Sequence, residues 1–98
     1  MRTLSLADIV DKLRELEVGT VSAYQAGAWA TEKFYCFERG VLKFEEPYED
    51  LIFDLLTTLI ANEDEPFRMD VNELTATIKE LKSLLVKHEH PSSKETTP

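Results

Sequence analysis

The sequence predicts an all-α protein, a small antiparallel four-helix bundle. Four segments repeat apolar residues at helical spacing, and a capping residue or a proline stands ahead of each. Only three glycines occur in 98 residues, too few for an all-β fold with many tight turns. The links between segments are short, as antiparallel neighbours in a bundle require.

Ser5 is placed to cap the first helix, with Asp8 in its favourable first turn. Leu6, Ile9, Val10, Leu13 and Leu16 then form one stripe, and Gly19 ends the helix in a left-handed cap. Thr20 is read as the cap of the second segment, VSAYQAGAWATEKFYCFERG. There Ala23, Ala26, Gly27 and Ala30 make a flat face that lets a neighbour approach closely, followed by Phe34 and Phe37, and Gly40 stops the helix. The stretch 34–44 has a second reading. FYCFE and VLKFEE around Arg39-Gly40 fit a short β-hairpin, although Arg-Gly is a weaker turn than Asn-Gly.

Pro47 is expected in the first turn of the third helix, where its missing N–H costs nothing. Tyr48, Leu51, Ile52, Leu55 and Leu59 make its stripe, widened by Phe53, Leu56 and Ile60. So broad a face suits a central helix. Asp70 and Glu73 stand as a capping box for the fourth helix, with Met69 and Leu74 at the positions of a hydrophobic staple. Val71, Leu74, Ile78, Leu81 and Leu85 continue it at bundle spacing. Residues 1–88 read as one helical domain and 89–98, polar and proline-flanked, as a disordered tail.

Composition excludes several classes. No apolar run approaches the length of a membrane span. Acids appear too early in the N-terminal segment for a signal peptide. The single cysteine, Cys36, rules out an internal disulfide and suits a reducing cytoplasm.

The net charge of −8 is segregated. Between Glu45 and Glu73 ten acids face one base, Arg68, whereas the rest of the chain is nearly neutral. Such a field steers a basic partner and repels phosphate backbones, so a basic protein is the expected partner and nucleic acid is not.

No catalytic constellation emerges. Cys36 reads as a small buried hydrophobe. His88 and His90 lie at or past the end of the last helix and supply too few ligands for a metal. The loop NEDEPFRMDVNE has the content of a calcium loop, but Phe67 stands where the required glycine belongs. No metal and no cofactor are expected. Trp29 and Tyr24 read first as core residues and, as the alternative, as aromatic anchors of an interface.

If the third and fourth helices are antiparallel neighbours, Glu49, Asp50, Asp54, Glu63, Asp64, Glu65 and Asp70 gather into one docking patch around Phe67. The alternative is a solvated face on a helical protein that self-associates through Trp29, Tyr24 and its leucine faces.

Two stretches, LADIVDKLRELEVGTVSAYQAGAWATEKFYCF and EDLIFDLLTTLIANEDEPFRMDVNELTATIKELKSLL, resemble the small acidic bacterial immunity proteins of the colicin D type. The insert ERGVLKFEEP and the histidine-bearing tail depart from that pattern. The resemblance implies a cytoplasmic, non-enzymatic inhibitor, monomeric or weakly dimeric, that blocks the basic cleft of a toxin ribonuclease. Glu63, Asp64, Glu65 and Asp70 would then meet toxin lysines or arginines, Glu49, Asp50 and Asp54 would extend the field, and Phe67 would be an apolar anchor.

Overall fold

The computed structural model describes residues 2–64 and 68–89, the last three by backbone alone. In chain order these form β1 (Arg2–Leu4), α1 (Leu6–Glu17), α2 (Ala23–Glu38), β2 (Leu42–Phe44), α3 (Glu49–Ala61) and α4 (Val71–Glu89). The four-helix bundle expected from the sequence is the fold observed.

Local chemistry sets the helix starts. The Ser5 hydroxyl accepts from the Asp8 N–H at 3.1 Å, and the Asp8 carboxylate accepts from the Ser5 N–H at 3.0 Å. Asp70 and Glu73 make the same reciprocal pair ahead of α4, at 3.1 and 2.8 Å. Each pair gives side-chain acceptors to two donors at the start of its helix, where the intrahelical ladder supplies none. The cap of α2 is Ser22 rather than Thr20, because Gln25, three residues on, returns the bond to the Ser22 N–H at 2.8 Å. Pro47 lies outside α3: the Glu46–Pro47 peptide is cis, and the helix begins at Glu49 with Tyr48 as cap. Gly19 and Gly40, at φ 84° and 78°, end α1 and α2 as expected.

The second reading of 34–44 is corrected in its pairing. Residues 34–38 belong to α2, as the continuous-helix reading has it. Leu42–Phe44 does form a strand, but it pairs in parallel with Arg2–Leu4, Leu4 opposite Phe44. Local pattern cannot supply so distant a partner. Glu45 locks the junction twice: its N–H donates to the Leu4 carbonyl, and its carboxylate accepts from the Leu6 N–H, both at 2.9 Å. Phe37 stacks on the buried ring of Phe44, with centroids 4.0 Å apart.

The core takes Leu6, Ile9, Val10 and Leu13 from α1, Ala26 and Ala30 from α2, Ile52, Leu56 and Leu59 from α3, and Leu74, Ile78 and Leu81 from α4. Each fully buried leucine or isoleucine contributes about 1.5–3 kcal/mol relative to exposure. The small-residue face of α2 lets α3 pack tightly on it, while α4 packs mainly on α1. Glu17 near the end of α1 accepts from Thr75 near the start of α4, so these two helices run antiparallel. α3 and α4 hardly touch, so they are not the packed neighbours that a single acidic patch requires; Leu51 of α3 only lines a shallow groove with Leu81 and Leu84 of α4.

Three expected core positions lie outside the core. Val71 is exposed because it directly follows the cap of α4. Phe53 and Tyr24 project from the solvent sides of α3 and α2. The tail beyond Glu89 lies outside the described residues, as do Glu65 and Phe67.

Candidate protein-binding surface

The solvent face of α3 changes character along its length. Its first turns present Glu49, Asp50 and Asp54, all exposed, and its later turns present Thr57 and Thr58. Phe53 stands among the acids, four residues after Glu49 and three after Asp50, the spacings that make helix neighbours. It is 40% exposed, and its ring leans on Phe34 of α2 with centroids 5.3 Å apart and planes at 53°. The pair forms an aromatic ridge on the seam between the two helices. Alongside, α2 exposes Tyr24 and Tyr35, at 72% and 61%. They stand eleven residues apart, three turns along one stripe.

At the far end of α3 the chain is held by polar bonds to its own backbone. Asn62 is buried, and its side-chain oxygen accepts from the Met69 N–H at 2.6 Å. Arg68 donates to the carbonyls of Asn62 and Glu63, at 3.2 and 2.7 Å. The only base of the acidic third thus caps the negative end of α3 and forms no ion pair with a carboxylate among the described residues. Glu63 is half-buried, its side chain laid over Gly27 of α2, where a Cβ would collide with it. Asp64 is exposed, and Asp70 is exposed but engaged in capping α4.

The predicted acids therefore fall into two groups. Glu49, Asp50 and Asp54 surround Phe53. Glu63, Asp64 and Asp70 gather at the opposite end of α3, about 20 Å along its axis from Glu49 and about 14 Å from Asp54 at 1.5 Å per residue. Ion pairs among the described residues are Lys12–Glu15 and Lys33–Glu32, so none of these six acids is paired there with a lysine or arginine. Glu45 and Glu73, also counted in the acidic third, are committed to the structure through the bonds described above.

Sequence pattern alone does not mark exposed Phe53 and Tyr35, or half-buried Phe34, as parts of a surface site. A signal for Phe53 was present: its spacing from Glu49 and Asp50 sets it on the acidic face, away from the Ile52–Leu56–Leu59 stripe. Phe34 and Tyr35 carried no such signal, because which side of α2 is covered depends on where α3 packs.

Among the described residues no group of three or more His, Cys, Asp or Glu is arranged to hold a metal ion. No helix among them is long and apolar enough to cross a membrane. No family model, curated protein or solved structure matches the chain.

Proposed function

We propose that this chain is a non-enzymatic binding protein that docks a basic protein partner through the α2–α3 surface, with Phe53 and Phe34 as anchor and Glu49, Asp50 and Asp54 as rim. The observation that carries this reading is the absence of any internal cation against those three carboxylates among the described residues. An arginine of the partner can lay its guanidinium on an aromatic ring and pair with an adjacent carboxylate, which makes it a better occupant than lysine. A standard interface removes about 800 Å² from each partner, enough to reach the second acidic group at Glu63 and Asp64.

The partner class that fits best is a toxin nuclease in the cytoplasm. A cleft that holds a phosphate backbone must be basic. Carboxylates seated in it exclude substrate without any chemistry, which is how an immunity-type protein acts. Self-association through Trp29 and Tyr24 has less support. Trp29 is half-buried between Lys12 and Lys33, and Tyr24 lies on a different side of α2, so no single apolar face joins the two rings.

Co-expression with the protein encoded immediately beside this chain tests the proposal. The neighbour is expected to be a basic, growth-arresting nuclease that the wild type neutralises and the folded E49Q/D50N/D54N variant does not. Full protection by that variant contradicts the docking surface.

A further inference from the structure

A cavity of about 230 Å³ opens between α1, α2 and the two strands. It lies away from the Phe34–Phe53 ridge, since Trp29, which lines it, and Phe34 are five residues apart, about 140° around α2. The ammonium groups of Lys12 and Lys33 stand 5.1 and 5.7 Å from the centre of the Trp29 ring. Arg2, Asp8, Asp11 and Glu15 line the cavity with them.

Several of these charges are already used. Lys12 is paired with Glu15 at 2.7 Å. The Asp8 carboxylate accepts from the Ser5 N–H. Three are not, or only weakly. Lys33 has its carboxylate, Glu32, at a loose 3.8 Å. Arg2 and Asp11 have no ion-pair partner among the described residues. Two available cations and one available carboxylate therefore surround an aromatic wall. A simple anion would leave Asp11 opposing it, and a simple cation would meet Lys12 and Lys33. A ligand carrying both charges satisfies both sides. The cavity is smaller than the roughly 300–1,000 Å³ of drug-sized sites, which limits the occupant to something small.

We infer that this cavity binds a free α-amino acid with an apolar side chain. Its carboxylate lies toward Lys33 and Arg2 and its ammonium toward Asp11; as Lys33 turns from the Trp29 ring to the carboxylate, the ligand side chain takes its place on the ring. This inference is independent of the docking proposal, since the two surfaces share no residue.

Trp29 is the only tryptophan, so its fluorescence reports the cavity directly. The full chain is titrated with L-phenylalanine, 3-phenylpropionate and 2-phenylethylamine, which share an apolar body and differ in charge. The expected result is a saturable change with phenylalanine and affinity about tenfold weaker for each singly charged analogue, the effect of losing one charge-assisted bond. K33M and D11N, each checked for native helicity by circular dichroism, are expected to weaken phenylalanine by about the same factor. No saturable response to phenylalanine, equal affinity for the three probes, or unchanged binding in both folded variants overturns the assignment.

Discussion

The side chain of Glu63, just past the end of α3, lies across Gly27 in the middle of α2. The contact ties one acid of the predicted docking patch to the packing of the bundle. It also explains a glycine in a helix interior, where alanine is ordinarily better by about 0.5–1 kcal/mol. In an E63A background, G27A is expected to recover that full gain; in the wild type it is expected to recover less, because the Glu63 side chain must move. Urea denaturation of the four variants measures the coupling. The same gain in both backgrounds would show that the two side chains do not interact.

Asn62 holds the entry to α4. Removing its amide in N62A strands the Met69 N–H in a part-buried site. A loss of about 1 kcal/mol is expected, the low end of the cost of an unsatisfied donor, because water can reach this one in part. A change within error would place the bond outside the elements that stabilise the fold.

Glu45 is acidic but serves the fold. E45A is expected to cost about 1 kcal/mol through the lost bond to the Leu6 N–H. E45Q keeps an acceptor oxygen and is expected to retain most of the stability. Because Glu45 is assigned to structure, E45Q is also expected to leave partner association unchanged, which separates it from Glu49, Asp50 and Asp54. Slower association in E45Q would move Glu45 into the docking surface.

Four-helix organisation was legible from the chain because each helix carries its own signals. The Ser5–Asp8 and Asp70–Glu73 boxes, the Leu6–Leu13 stripe and the glycines at 19 and 40 act within a few residues. The strand pair was not legible in the same way, since Leu42–Phe44 finds its partner some forty residues earlier. The acids were visible as a count and a segregation, but their division into two groups follows from the length and direction of α3. Which acids serve the fold was half visible: Asp70 and Glu73 sit in a recognisable box, whereas Glu45 and Glu63 are engaged by residues far away in sequence.

Phe53 is expected to dominate affinity. F53A removes a ring that is already part-exposed, so its cost to folding should be smaller than that of a core leucine. Its cost to binding is expected at about 2 kcal/mol, in the range of an aromatic hot spot, and to appear in the dissociation rate. Calorimetry against the partner, alongside urea denaturation of the free variant, separates the two. A large folding loss with unchanged affinity would assign Phe53 to packing alone.

Rim acids act earlier, on the encounter. Wild type and E49Q/D50N/D54N are compared by stopped-flow association with the adjacent-gene product over a series of salt concentrations. The expected result is association about tenfold or more slower in the variant at low salt, with the gap closing as salt screens the field. Equal rates for the two proteins at every salt concentration would contradict the claim that these carboxylates recruit a basic partner.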